Sequence, residues 1–250
     1  MKKLIAALVI WTSLTLPAHA LMEIEGFFWI MKPGGEASVG LDGLEGTKAD
    51  LKDDFGYDDT ENVPGIRAFL GKTHQVGFSA FKLDASAENT INRTIRFQDK
   101  EFQINERVST AFDLTAIQAF YRFNIGPDLF HGGLLLGGEY INIGAEASSP
   151  RLGRATADVD TGMFLVGAFA ETNPLPFLRA RGSIMGGTFD IGDIEASYLD
   201  LELAVLAKIP PGFHLGAGYR HIIVDARDTN LPLEIDLSFS GPTLFVGFEW

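Results

Sequence analysis

The 250-residue sequence carries 33 acidic residues against 20 basic ones, a formal charge of −13, so a polyanion such as nucleic acid is excluded as the expected partner. It contains no cysteine, which excludes disulfides, a lipid-modified amino-terminal cysteine and thiolate metal sites, and leaves His and carboxylates as the available metal ligands.

Taken in chain order, Lys2 and Lys3 precede an apolar run from Leu4 to Leu16, then Pro17 and a small-residue step Ala18-His19-Ala20. This is the layout of a secretory signal peptide with cleavage after Ala20. The apolar run is too short for a comfortable membrane helix, and no later segment approaches twenty uninterrupted apolar residues. Loss of Lys2 and Lys3 with the leader takes the formal charge from −13 to −15.

Beyond the leader, turn residues divide the chain into about ten alternating segments. Their expected cores are residues 23–31, 65–72, 75–85, 113–124, 132–144, 160–171, 177–189, 197–208, 213–225 and 237–250, with 8 strands if two weaker segments are loops and 12 if 36–52 also pairs. Short connections at Gly71-Lys72-Thr73-His74, Gly126-Pro127-Asp128, Asn173-Pro174-Leu175-Pro176 and Pro210-Pro211-Gly212 alternate with longer, more polar ones. Residues 90–97 and 101–105 alternate around Gln98-Asp99-Lys100, which predicts a hairpin prolonging the third and fourth strands. At Ser240-Gly241-Pro242 the apolar positions pass from odd (Leu233, Ile235, Leu237, Phe239) to even (Leu244, Val246, Phe248), the pattern of a β-bulge. The final strand therefore puts Leu244, Val246, Phe248 and Trp250 on one face, with Thr243, Gly247 and Glu249 on the other.

That last segment, apolar outside, polar inside, about ten residues long and ending on an aromatic, resembles the closing strand of the single-chain outer-membrane β-barrels of Gram-negative bacteria. The resemblance extends over the whole of residues 21–250 as a class likeness. It implies an all-β, closed antiparallel transmembrane barrel and an outer-membrane location reached through the Sec pathway. Its partners would be outer-membrane lipid, lipopolysaccharide and the barrel-assembly machinery, which would read Phe248 and Trp250 as an assembly signal. Short turns would lie in the periplasm and long loops outside, the first being an acidic extracellular loop over 33–63. A hydrophobic content of 46% with 28 Gly agrees with a barrel and also fits a soluble β-sandwich.

Inward-facing positions decide between a pore and a plug. Alternation puts Leu199, Leu201, Leu203 and Val205 toward lipid and Asp200, Glu202 and Lys208 inward; in the next segment Phe213, Leu215, Ala217 and Tyr219 face lipid while His214 and Arg220 face in. The same reading turns Glu25, Arg67, Gln118, Arg122, Glu139, Arg179 and Arg181 inward, with Arg220 close to Asp200 or Glu202. A barrel of this size is filled by its side chains, and buried charges persist when paired. The expectation is a surface or structural barrel plugged by ion pairs; a charged constriction forming a narrow channel is the alternative. Phe28, Trp29, Tyr121, Phe123, Tyr140, Tyr219 and Trp250 read as girdle residues at the lipid–water interfaces.

Two further sites follow from residue type. Loop 33–63 carries Glu36, Asp42, Glu45, Asp50, Asp53, Asp54, Asp58, Asp59 and Glu61 against Lys48 and Lys52; a solvated acidic loop is the first explanation, and Asp53, Asp54, Asp58 and Asp59 as Ca²⁺ or Mg²⁺ ligands are the second. No cofactor motif is present. Barrels of this size include omptin-like proteases and lipid A deacylases, so a rim enzyme is a third reading. His74, His131 and His214 sit beside short turns, which leaves His221 as the candidate base. Asp225 is about 13 Å along the same strand face, and neither a His-x-Ser pattern nor paired aspartates with a His–Asp dyad can be assigned.

Overall fold

The computed structural model describes residues 22–40, 46–57, 60–97, 99–127, 129–191, 194–228 and 233–250. The leader over 1–20 lies outside these residues, as do Asp42, Glu45, Asp58 and Asp59. In chain order the strands are β1 (Met22–Val39), β2 (Ala49–Asp50), β3 (Glu61–Gly71), β4 (His74–Thr90), β5 (Ile95–Phe97), β6 (Lys100–Phe102), β7 (Arg107–Ile125), β8 (Phe130–Ser149), β9 (Gly153–Leu175), β10 (Leu178–Ile191), β11 (Ile194–Ile209), β12 (Phe213–Asp228) and β13 (Leu233–Glu249).

Ten of them form one antiparallel wall in the order β1, β3, β4, β7, β8, β9, β10, β11, β12, β13, and β13 pairs back onto β1. Closure runs from Glu23 opposite Glu249 to Val39 opposite Leu233, and Met22 and Trp250 exchange N–H···O bonds at 3.0 Å. Closure removes the exposed edges of an open sheet. The short connections Gly71 to His74, Leu175 to Leu178 and Ile209 to Phe213 gather at the end where Met22 and Trp250 meet (the turn end), and the longer connections crown the opposite, loop end.

Alternation explains the wall. Leu203, Val205, Leu215, Tyr219, Leu244 and Val246 point outward and are exposed, while Glu202, Leu206, His214, Arg220 and Thr243 on the intervening positions are buried. Exposed apolar residues recur on every side of the turn half, including Val76, Phe78, Leu134, Leu136, Phe164, Val166 and Ile184, an apolar belt with the character of a lipid-facing surface.

The switch of apolar positions in β13 has a different cause from the expected bulge. The register with β12 is one-for-one from Phe213 opposite Phe248 to Asp228 opposite Leu233, so no residue is inserted at 240–242. Ile235, Leu237 and Phe239 are buried inside, on the same inward face as Gly241, Thr243 and Phe245. The face that is apolar changes, because the strand leaves the lipid belt. Below Ser240 the outward positions are apolar; above it they are Ser238, Asp236 and Glu234, and the inward positions become the apolar ones. The same inversion occurs in β12, where outward Phe213, Leu215 and Tyr219 give way to inward Ile222 and Val224. Gly241 is required at this level: an added Cβ would run into the Ile30 carbonyl, and its own carbonyl accepts the Trp29 indole N–H at 3.2 Å.

Two other expectations are corrected. The hairpin expected over 86–105 is divided: β4 and β7 are prolonged as expected, pairing as far as Thr90 opposite Arg107, but β5 and β6 do not continue them and form a separate two-stranded sheet whose Ile95, Phe97 and Phe102 are buried. Trp29 is not a girdle residue; it points inward at 1% exposure and packs edge-on against Phe81 at 6.0 Å between ring centroids.

Candidate functional site

The interior is filled in three layers, two of them traceable to inward positions of successive strands and the third to a connecting segment. Nearest the turn end is an ionic layer. Arg67 of β3 donates to both oxygens of Glu202 on β11, at 2.8 and 2.7 Å across the lumen. Arg181 of β10 grips both oxygens of Glu25 on β1 at 2.9 and 2.7 Å and approaches Glu202 at 3.3 Å. Arg179 takes both oxygens of Glu23, at 2.9 and 3.0 Å, and also bonds Glu249; Arg122 donates to Glu171 at 2.5 Å. Arg220 donates through Nη2 and Nε to Asp200 at 2.6 and 3.1 Å. Glu139 differs from the other acids in bonding Gln118, at 3.2 Å. Arg67, Arg122, Glu139, Arg179, Arg181, Asp200, Glu202 and Arg220 thus converge on one layer.

Short, two-pronged guanidinium–carboxylate pairs are the arrangement in which buried charge is best satisfied. Phenyl rings interleave with them. Arg122 lies 3.8 Å from the centroid of Phe169 and 5.0 Å from Phe69, Arg181 lies 4.7 Å from Phe245, and Arg220 lies 4.9 Å from Phe81 and 5.4 Å from Trp29. Each of these three guanidiniums has one buried nitrogen without a hydrogen-bond partner, and the ring faces supply the compensating cation–π attraction. Glycine makes room for two of the rings: Phe27 lies over Gly65 and Phe120 over Gly77, its direct cross-strand partners.

Glu23, Glu25 and His214 also come within 4.8 Å of one another, a grouping with metal-ligating donors. His214 Nε2 lies 3.3 Å from Glu25 and 3.4 Å from Glu23. The carboxylate oxygens are already held by Arg179 and Arg181, and a cation would face those guanidiniums, so the donor set acts here as part of the ionic layer.

The middle layer is apolar. Trp29, Met31, Leu83, Ile141, Leu165, Leu237 and Phe239 are each at most 2% exposed. Burial of such side chains stabilises by roughly 1.5–3 kcal/mol each. The voids left are small: about 50 Å³ among Arg67, Gln118, Arg122, Arg181, Asp200 and Glu202, and about 10 Å³ among Trp29, Leu83, Ile141, Tyr198 and Phe239. By contrast, a vestibule of about 690 Å³ opens at the turn end, bordered by Lys72, His131, Glu171, Arg179 and Lys208, and it stops at the ionic layer.

The third layer is a cap at the loop end, made by residues 46–57. Leu51, Phe55 and Tyr57 are buried. Arg93 fastens the cap through Nε to Asp54 at 3.0 Å and through Nη2 to the Lys48 carbonyl at 2.6 Å, the Asp54 carboxylate accepts the Asp50 N–H at 2.8 Å, and Lys48 bridges to Glu234 at 2.8 Å. The hydrogen bonds from Arg93 hold the Asp54 carboxyl below its ordinary range. Of the candidate cation ligands, Asp53 is exposed, Asp54 is committed to Arg93, and Asp58 and Asp59 lie outside the described residues.

His221 faces outward, half-buried, two positions above Tyr219 on the same face. Asp225 on that face accepts from Ser197 at 3.0 Å, so the structure does not join it to His221. His131 and His74 lie at the turn end, and His214 is in the ionic layer; none of the four described histidines enters the loop-end interior. Phe248 is half-buried against Phe213 and Trp250. Sequence reasoning missed Glu23, Glu171, the inward phenylalanines and the whole apolar layer, whose signal was present as the change of apolar parity along each strand.

No protein-family model and no curated protein sequence matches the chain. Among solved structures, the outer membrane protease OmpT from Escherichia coli superimposes with a TM-score of 0.63 at 9% identity, covering 92% of this chain and 97% of that one. The transport unit of the autotransporter AIDA-I from Escherichia coli gives 0.44 at 8% identity, over 98% and 97%. Ail of Yersinia pestis gives 0.40 at 14%, over 92% and 99%. The likeness to OmpT is one of fold. The closed ten-stranded wall and its apolar belt are those of a membrane-spanning β-barrel.

Proposed function

From the premise that the chain is an integral outer-membrane β-barrel of the Gram-negative class, we propose that it is a non-conducting barrel of structural or surface-interaction type, its lumen plugged and its capped loop end presented to the outside. One observation carries this reading: the two-pronged ion pairs and the apolar layer fill the lumen in series, leaving voids of about 50 and 10 Å³. A hydrated ion would have to displace both. The narrow-channel alternative needs a polar path through the middle layer, where Trp29, Leu83, Ile141 and Phe239 meet instead. The rim-enzyme alternative needs His221 to face an acid, and it faces outward apart from one.

Export through the Sec pathway with removal of residues 1–20, and insertion by the barrel-assembly machinery through Phe248 and Trp250, complete the reading. Lipid and lipopolysaccharide are the contacts suited to the apolar belt. The test is single-channel recording of the refolded protein in a planar bilayer at several salt concentrations. Silence from protein shown to be folded by heat-modifiable migration is expected; regular, ion-selective steps would overturn the proposal.

A further inference from the structure

Toward the loop end the inward positions become small. Phe112, Ile143 and Leu237 fill the level below, but the next inward residues of β8 and β9 are the cross-strand pairs Ala145–Ala157 and Ala147–Ala155. The cap lowers Leu51, Phe55 and Tyr57 toward this alanine-lined space without filling it. A cavity of about 70 Å³ remains, bordered by Leu51, Phe55, Tyr57, Phe112, Ala145 and Ala157. Ala145 and Ala157 are half-buried, so the cavity has a mouth at the rim rather than being sealed.

Its lining is mainly apolar, with Tyr57, Thr110 and Glu146 as its polar residues. The Tyr57 hydroxyl is buried and has no hydrogen-bond partner, although the Thr110 hydroxyl lies beside it. Buried hydroxyls are ordinarily paired. An open recess lined this way offers a ligand mostly apolar contact, and rings stack edge-on or offset against others such as those of Phe55 and Phe112.

We propose that this cavity is a binding site for a small single-ring molecule, apolar except for one hydrogen-bonding oxygen, with the Tyr57 hydroxyl as the partner of that oxygen. The ring would sit against Phe55 and Phe112 in the space left by Ala145 and Ala157. Pockets of this composition, mostly apolar with a few placed polar groups, orient a ligand through those groups. The site lies above the lipid belt, beneath the cap residues Leu51, Phe55 and Tyr57, so a ligand enters from the aqueous side.

The experiment is ¹⁹F NMR of 4-fluorophenol and fluorobenzene with the full barrel in lipid nanodiscs, against empty discs. A saturable, protein-dependent response is expected for 4-fluorophenol, and Tyr57→Phe should weaken its binding about fivefold, the loss of one hydrogen bond, while leaving fluorobenzene unchanged. Ala157→Leu and, separately, Ala145→Leu should abolish both responses by filling the cavity. Equal responses from wild type and the two filled variants, or no response beyond empty discs, would overturn the site. Unchanged 4-fluorophenol affinity in Tyr57→Phe, a variant that removes only the oxygen, would overturn the assignment of the hydroxyl and is readable even where a filled variant fails to fold.

Discussion

Arg220→Met is the perturbation that bears most directly on the ionic layer. Arg220 has a side chain 3% exposed and holds Asp200, itself 12% exposed, through two hydrogen bonds, and its guanidinium is flanked by Phe81, Trp29 and Phe27 at 4.9, 5.4 and 5.7 Å. Methionine keeps most of the stem's volume and deletes the charge, leaving Asp200 buried without its partner. Breaking one side of a buried pair costs about 3–5 kcal/mol, whereas replacing both sides by apolar groups is often close to neutral. The single variant should therefore lose about 3–5 kcal/mol, and Arg220→Met with Asp200→Leu should recover all but about 1–2 kcal/mol of it, the remainder being cation–π attraction to the rings. The assay is guanidinium unfolding in lipid vesicles followed by tryptophan fluorescence, with folded protein scored by heat-modifiable migration. A single-variant loss below about 0.5 kcal/mol, or a double variant less stable than the single one, would refute the reasoning.

Gly77→Ala should destabilise by about 1–3 kcal/mol in the same assay, because its Cβ would displace the Phe120 ring, whereas Gly26→Ala, whose Cβ would meet Val246 at an ordinary 3.8 Å, should lose less than Gly77→Ala. Glu106 accepts from Arg151 at 2.9 Å and from Ser149, and chiefly the Arg151 bond depresses its carboxyl to about 2; a depressed acid stabilises the folded state above its ordinary pKa of 4.5, so protection of the 150–153 turn in hydrogen exchange should persist at neutral pH and fade as pH falls from 4.5 toward 2. The Asp54 carboxyl, depressed chiefly by its Arg93 hydrogen bonds, has the same sign: amides of residues 54–57 should exchange faster on acidification after correction for intrinsic rates, and Asp54→Asn should abolish that dependence. Phe248→Ala with Trp250→Ala should lower the fraction of newly made protein reaching the heat-modifiable form in cells, while leaving refolding in detergent intact.

Much of the wall was legible because period-two alternation is a local signal: Leu203 and Val205 out with Glu202 in, and Tyr219 out with Arg220 in, follow from neighbours two apart. The partners across the lumen were not. Arg67 meets Glu202 at a separation of 135 residues, and Arg181 meets Glu25 at 156; only barrel closure and strand stagger bring them together. The apolar layer was misread for a physical reason. An inversion of apolar parity has two causes, an inserted residue or a change of solvent outside the barrel, and β13 at Ser240 shows the second. Trp29 was misplaced for another reason: its aromatic type suggested the girdle, whereas alternation from inward Glu25 turns it inside and leaves its neighbour Phe28 outward. The cap was hidden because Leu51, Phe55 and Tyr57 are embedded among Asp50, Lys52, Asp53 and Asp54, whose charge reads as a solvated loop until the register shows where the chain descends.

The closed, dry interior is tested most directly by cysteine labelling, since the chain has no native cysteine. Ser79→Cys and Ala116→Cys place a thiol at inward positions 3% and 2% exposed, in the ionic and apolar layers; Ser86→Cys and Ser109→Cys place one on the exposed outer face above the lipid belt. With a water-soluble maleimide on folded protein in vesicles, the account predicts fast labelling of the outer pair and none of the inner pair until the barrel is unfolded. Labelling of Ala116→Cys at the rate of Ser109→Cys would contradict it, since water and solute would then reach the level that the apolar layer is held to close.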